Sequence, residues 1–332
     1  MTPVSTEVLP FEPASVTRAA ELLRAGFVVA LPTETVYGLA ARADDASAVR
    51  RIFEAKGRPS TNPLIVHVAD VAAARELVTD FPPAAERLAA AFWPGPLTLV
   101  MPRRAGLVAD EVTAGGDTVA VRVPASSAAR AVLEATRLPL AAPSANRSMS
   151  ISPTTAEHVV KSLAGRIPLV LDAGPCAHGI ESTIVDVTRL PAVLLRPGAV
   201  SLDALRAVVD VVDPGSIVVS VAKRAPAPGT SVRHYAPRAK LIVAAPSVVL
   251  DERERRRALG LSVGVLSFVP EHACGTPVEI LAADPDAYAS ELYAALHRLD
   301  DAGCDEILVA APPVTSAWLA VHDRLRRAAA SE

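Results

Sequence analysis

At 332 residues the chain exceeds the usual size of one compact domain, so two domains are the starting expectation. Hydrophobic residues make up 51% and charged residues 21%, and the apolar runs are short and broken by Pro, Gly or charge, which excludes a membrane-spanning helix. A net charge of -3 excludes a global attraction to nucleic acid, so any anion site has to be a local cluster of cations. The N-terminal MTPVSTEVLPFEPAS has no basic region leading into an apolar run and does not read as a secretory signal, so a cytoplasmic location is expected. Cys176, Cys274 and Cys304 lie far apart, without the CxxC spacing of a zinc knuckle or a disulfide framework. Only four lysines stand against 29 arginines, so a lysine inside a motif carries more information than usual.

In chain order, the first two thirds alternate short β-rich runs with amphipathic stretches. Strands are expected at Phe27 to Leu31, Leu64 to Val68, Leu97 to Met101, Val119 to Val123, Leu169 to Leu171, Thr183 to Val187 and Val193 to Arg196. Helices are expected near Val16 to Arg24, Ala46 to Glu54, Ala84 to Phe92, Ser127 to Ala135 and Thr155 to Leu163. Many connections carry Pro or Gly, which suits an open, mixed α/β sheet over residues 1–211 better than a regular barrel. Residues 212–239 are rich in Pro and basic residues, with no period, and read as a linker. Residues 240–332 repeat the α/β pattern on a smaller scale, as a Rossmann-like doubly wound domain with no G-x-G-x-x-G to bind a dinucleotide.

No Gly-Lys pair occurs, so P-loop chemistry is not expected, and the signatures of kinases and H-E-x-x-H proteases are missing. The strongest local signal is KGRPSTNPLIVH, residues 56–67. Lys56 offers a compact charge and Arg58 a planar fork at a helix-to-strand turn, a pairing able to hold phosphate or carboxylate oxygens. Helix C-termini also favour cations through the dipole, but Asn62 and His67 add polar groups that a purely structural turn would not need. A second cluster, PSANRS followed by Ser152-Pro153-Thr154, presents Ser144 and Asn146; serines before helices are otherwise caps. A third, DAGP through Glu181-Ser182-Thr183, lies where strand ends line α/β clefts, with a satisfied turn as its alternative. Arg196 closes a strand as a third cation or as a surface arginine. The PTETVYGL loop gathers hydroxyls, a carboxylate and a ring, and Arg233-His234-Tyr235 concentrates cationic and aromatic groups on the linker.

In this order, PTETVYGL, KGRPSTNPLIVH, PSANRSMSISPTT, DAGPCAHGIESTIVD, LRPG and the tether HYAP resemble the L-threonylcarbamoyladenylate synthase family, the YrdC-like proteins in their long two-domain form, over nearly the whole chain. The resemblance implies synthesis of threonylcarbamoyl-AMP and pyrophosphate from L-threonine, bicarbonate and ATP. The threonylcarbamoyl group would then pass to the machinery that makes N6-threonylcarbamoyladenosine in tRNA, with weak RNA binding as a further expectation and no membrane partner. By matching positions, Lys56 and Arg58 would be catalytic. Arg58, Asn62, Thr118, Ser144, Asn146, Ser152, Arg196 and Tyr235 would hold ATP. Thr35, His67, Arg122, Ala142 through its backbone, and Ser182 would surround threonine, with Arg122 meeting its carboxylate. His234 and Tyr235 would form a lid, although residues 227–232 depart from the family pattern there. Mg2+ is expected to travel with ATP, held by the phosphates, because no clustered carboxylates form a dedicated cage.

Two other readings fit parts of the pattern. A double-stranded RNA-binding protein would use the cations on RNA and show salt-dependent binding. A carbamoyl transferase would share the YrdC-like unit but would also carry cysteine-rich zinc segments, which this sequence lacks. With Lys56 and Arg58 both expected to face a solvent cavity, alanine at either should lower turnover while leaving the fold intact.

Overall fold

A computed structural model describes residues 4–213, 234–275 and 277–330. Within the first segment the strands are β1 (Glu7–Pro10), β2 (Val29–Leu31), β3 (Gly38–Arg42), β4 (Ile65–His67), β5 (Leu97–Pro102), β6 (Thr118–Arg122), β7 (Leu140–Ala141), β8 (Leu169–Asp172), β9 (Thr183–Asp186), β10 (Ala192–Arg196) and β11 (Val211–Val212). They form one mixed sheet in the order β1-β8-β2-β3-β7-β4-β6-β5-β9-β10-β11. A second, wholly parallel sheet holds β12 (Lys240–Ala244), β13 (Val263–Ser267), β14 (Val278–Ile280) and β15 (Glu306–Ala310), in the order β12-β15-β13-β14. Helices lie on both of its faces: Val249–Ala258 on one, Pro285–Asp301 and Leu319–Ala329 on the other. The mixed sheet and the smaller doubly wound unit are those expected from the sequence. Of the 212–239 linker, residues 214–233 lie outside the described residues, and with them Arg233 and the departure at 227–232.

Every expected strand and helix is present within a few residues of its expected ends. Strands β1, β3, β7, β11 and β14 were not foreseen. Two of these have only two residues, and β3 is the run Gly-Leu-Ala-Ala-Arg, whose small side chains carry no β-branched signal and whose start lies inside the PTETVYGL string read as loop.

Because side chains alternate along each strand, the large sheet has two unlike faces. One is apolar throughout: Leu39, Val66, Leu99, Val121 and Val185 pack against the helices Ala46–Lys56, Pro83–Phe92 and Ala156–Leu163. The other is covered only over β1, β8, β2, β3 and β7, where the helices Pro13–Arg24 and Ser127–Thr136 meet Val29, Ala40, Leu140, Leu169 and Leu171. Over β4, β6, β5, β9 and β10 that face has no helix from its own domain, only a small patch of Ile65, Val100, Ala120 and Ile184 backed by Leu195.

The C-terminal domain docks beside this bare half. Tyr288, Leu292, Tyr293 and Leu296 share a buried cluster with Val36, Ile151 and Ile180 of the first domain and with Tyr235 at the end of the linker. Around it His158 stacks on His297, ring centres 3.8 Å apart, and Lys161 pairs with Asp301. Gly179 marks the closest approach. Its φ is +66°, and a Cβ there would fall 2.0 Å from the Ser290 carbonyl oxygen of the other domain.

Gly179→Ala should therefore cost about 2 kcal/mol or more of stability and expose the interdomain contact to protease. Gly174→Ala is the control, since φ there is +79° but a Cβ would meet nothing within 4 Å, so only the left-handed backbone cost of about 1–2 kcal/mol applies. Chemical denaturation of the two variants checks this; equal losses would remove the interdomain contact from the account.

Candidate active site

The bare half of the sheet floors a hollow of about 510 Å³, counting its open mouth. Ten of the residues expected at the site line it: Thr35, Arg58, His67, Arg122, Ala142, Ser144, Ser182, Arg196, His234 and Tyr235. They come from eight places in the fold: the loop after β2, the turn before β4, the ends of β4, β6 and β10, the loop after β7, the loop before β9, and residues 234–235. Arg196 is aimed here by an irregularity in the β9–β10 register between Leu194 and Arg196, which breaks strict alternation and places a cation where a strand position would otherwise face the opposite core.

At one end Arg122 and Glu34 form a buried ion pair, 2.6 Å apart. Arg122 also donates to Thr35 Oγ1 (3.0 Å) and to the Gly95 carbonyl (3.2 Å), and Glu34 takes the Ser126 amide on its other oxygen. Burial pushes the Glu34 carboxyl up, but the Arg122 charge and hydrogen bonds overcome this and hold it at about 2. His67 lies alongside. Burial first, then the Arg122 charge, lowers its imidazole to about 3, so it is neutral near pH 7, and its Nδ1 is buried with no partner among the described residues. Ser182 Oγ is 2.8 Å from Thr98 Oγ1 and 3.2 Å from Arg196 Nη2.

At the other end Arg58 donates to the carbonyls of Asn62 and Pro63, and Arg196 to the Ser182 carbonyl. Burial draws Arg58 down to about 10, which leaves it charged. Tyr235 holds a left-handed φ of +63°, packs against His234 with ring centres 4.1 Å apart, and buries a hydroxyl that has no partner among the described residues. The Asn62 Oδ1 is likewise buried and unpartnered.

Lys56 does not face the hollow, contrary to the expectation. It ends the helix Ala46–Lys56, whose last turn closes on Gly57 with φ +62°, and its ammonium donates to the carbonyls of Ser144 (2.5 Å) and Asn146 (2.6 Å) and to Asn146 Oδ1 (3.3 Å). Only 2% of it is exposed. Lys56 thus stands behind the wall and ties down the loop that presents Ser144. Asn146, 1% exposed, spends its amide on Lys56 and on the Ser150 carbonyl, and Ser152, fully buried, donates to Glu181 Oε1 at 2.5 Å. Thr118 is exposed at the start of β6, outside the hollow but on the same strand face as Ala120 and Arg122, about 13 Å along from Arg122 at the usual strand rise.

Sequence reasoning left Glu34 and Glu181 without roles, although both lay inside quoted strings. For Glu181 the available signal was a carboxylate just before a strand whose residues are all buried. Tyr293 and Arg324, which reach Glu181 from the other domain at 3.0 and 2.7 Å, carried no local signal at all.

Replacing Lys56 by Met should cost about 2–3 kcal/mol of stability by stranding buried carbonyls, whereas Arg58→Ala should cost less than half as much; thermal unfolding of both measures the difference. The folded-state value of Glu34 is depressed, so its contribution is present above pH 4.5 and is lost as the pH falls toward 2. In Glu34→Gln, acid unfolding should show a flatter limb over that window.

Comparison with known proteins places this arrangement. The protein-family model described as "Telomere recombination" (Sua5, YciO, YrdC) matches residues 21–198, and that of the "Threonylcarbamoyl-AMP synthase, C-terminal domain" matches residues 200–330. Threonylcarbamoyl-AMP synthase of Pyrococcus abyssi is 42% identical over 93% of this chain and 92% of its own length, and that of Bacillus subtilis is 38% identical over 98% and 95%. The crystal structure of P. abyssi Sua5 complexed with L-threonine superposes with a TM-score of 0.91 at 40% identity, covering 98% of this chain and 97% of that one. The chain therefore belongs to the Sua5/YciO/YrdC family, in the form that carries the Sua5 C-terminal domain.

Proposed function

We propose that the protein joins L-threonine, bicarbonate and ATP into L-threonylcarbamoyl-AMP, releasing pyrophosphate. The observation that carries this is a single buried hollow, cationic at both ends, on the bare face of the sheet, in a chain alike over its full length to proteins named for that synthesis. The threonine amine attacks the carbon of bicarbonate or CO2, and loss of water or a proton leaves an N-carboxylate. A carboxylate oxygen then attacks the α-phosphorus as the bond to the β-phosphate oxygen breaks and pyrophosphate departs. Amino-acid carboxylate, carbamate and triphosphate repel one another, so cations and proximity are the main contribution the site makes.

Arg122 commits three of its five N–H groups to Gly95, Thr35 and Glu34, which leaves a pair for the threonine carboxylate. Neutral His67, Thr35 and Ser182 surround the amine and hydroxyl, and the Ala142 amide is already spent on Ile65 O, so its carbonyl is the backbone group to offer. Arg58, Arg196 and Ser144 take phosphate oxygens. Asn62 and Tyr235, each with an unused polar atom, complete the nucleotide side, and Thr118 receives its far end along β6. Lys56, Asn146 and Ser152 act on that side through the wall they brace. His234 and Tyr235, seated over the hollow, keep water from the labile carbamate. Magnesium arrives with ATP: both oxygens of Glu34 and of Glu181 are committed to protein donors, so the phosphates are its natural ligands.

The enclosed cations argue against double-stranded RNA as the ligand. Lys56, Arg58, Arg122 and Arg196 are each no more than 7% exposed, where a duplex cannot reach them. Full-length likeness to synthases favours adenylate formation over carbamoyl transfer. The product supplies N6-threonylcarbamoyladenosine formation in tRNA, and the cytoplasm is the compartment that fits. No helix among the described residues is long and apolar enough to cross a membrane.

The test is formation of a labelled adenylate from ATP and labelled bicarbonate. It should require threonine, fall at least 100-fold in Arg58→Ala, and show a raised threonine KM in Ser182→Ala. A product formed equally well from carbamoyl phosphate, or without threonine, would refute the assignment.

A further inference from the structure

Glu181 is a buried carboxylate in the wall of the hollow, and its two oxygens serve different domains. Oε1 accepts the Ser152 hydroxyl at 2.5 Å, from the same domain. Oε2 accepts Arg324 Nε at 2.7 Å and the Tyr293 hydroxyl at 3.0 Å, both from the C-terminal domain. Arg324 is 1% exposed and reaches further than this one pair. Its Nη1 donates to the carbonyl of Pro197, next to Arg196, and its guanidinium carbon lies 5.1 Å from the centre of the Tyr235 ring. One side chain of the last helix thus touches three separate pieces of the catalytic wall.

An ion pair buried this deeply seldom stabilises a fold more than an apolar replacement would. Its placement is better explained by the charge it controls. A bare carboxylate beside a site for a triphosphate would repel the ligand, yet removing it would leave Ser152 without its acceptor.

We infer that Arg324 and Tyr293 are positioning residues of the active site: from the C-terminal domain they hold and neutralise Glu181, so that it orients Ser152 and the nucleotide side of the hollow without opposing ATP. Burial alone would push the Glu181 carboxyl up; Arg324 is the strongest influence holding it down, followed by Arg196. The other charged or titratable groups around it are Lys56 from the helix Ala46–Lys56, Tyr235 from the linker, and Asp323, which pairs with both Arg324 and Arg327. The C-terminal domain is then part of the nucleotide site. The inference rests on the reading that the hollow takes ATP, and it adds a role for a domain that reading leaves idle.

The experiment measures ATP–magnesium and threonine affinities by calorimetry on the full-length protein, alongside melting temperature. Arg324→Gln should weaken ATP at least tenfold and threonine by less than twofold, with Arg324→Lys in between. Adding Glu181→Gln to Arg324→Gln should restore ATP affinity to within about threefold of the wild type, because the offending charge is gone. A parallel loss of both ligands and of melting temperature, or a double variant no better than the single, overturns the proposal. If Arg324→Gln does not fold, Tyr293→Phe decides: ATP about threefold weaker with threonine unchanged supports the role, and unchanged ATP affinity overturns it. A wild type that binds ATP but forms no threonine-dependent adenylate sinks the proposed synthesis, while the affinity comparison still decides the role of Arg324.

Discussion

The structure depends on keeping an excess of positive charge out of water. Arg58, Arg122 and Arg196 line one hollow with Lys56 behind its wall, and the carboxylates beside them are Glu181 in the wall and Glu34 paired with Arg122. Bringing that many cations out of solvent is unfavourable unless each finds acceptors. The protein supplies them largely from its backbone: carbonyls of Gly95, Ser144, Asn146, Asn62, Pro63 and Ser182 each take a hydrogen bond from one of the four. Neutral dipoles stabilise the charge without cancelling it, so the field remains available to an anionic ligand. This explains why the site lies at strand ends and turns, where carbonyls are not consumed by the sheet.

That requirement also accounts for the half-covered sheet. Had helices closed both faces, β4, β6, β5, β9 and β10 would present only hydrocarbon. Leaving one half bare opens room for polar side chains at the ends of β4, β6 and β10, over a thin apolar floor of Ile65, Val100, Ala120 and Ile184. The second domain and residues 234–235 close the edge, and Glu181 receives Arg324 and Tyr293 from the second domain.

Much of this was legible in the residues. Alternating apolar runs marked the sheet, and the KGRPSTNPLIVH and PSAN strings marked cavity residues by polar groups that plain turns do not need. What escaped was decided by tertiary geometry. Nothing local to Lys56 says that its ammonium would be captured by a loop some ninety residues on, so it was expected in the open. The strand Gly38–Arg42 is built of small residues whose pairing comes from its neighbours, not from propensity. Arg122 was expected to meet the threonine carboxylate, with no protein partner named; its ion pair with Glu34 depends on the loop after β2 folding over β6, which no spacing encodes.

The wall of the hollow is also assembled from distant stretches of chain, from Thr33 to Tyr235, and is braced from behind by Arg324 in the final helix. Since a polypeptide emerges from the ribosome in sequence order, the large sheet can complete its pairing well before the last helix is made. Through that interval Glu181 would sit with its Ser152 bond but without Arg324 or Tyr293. Competence to bind nucleotide would then come late, as a property of the finished chain and not of its first folded half.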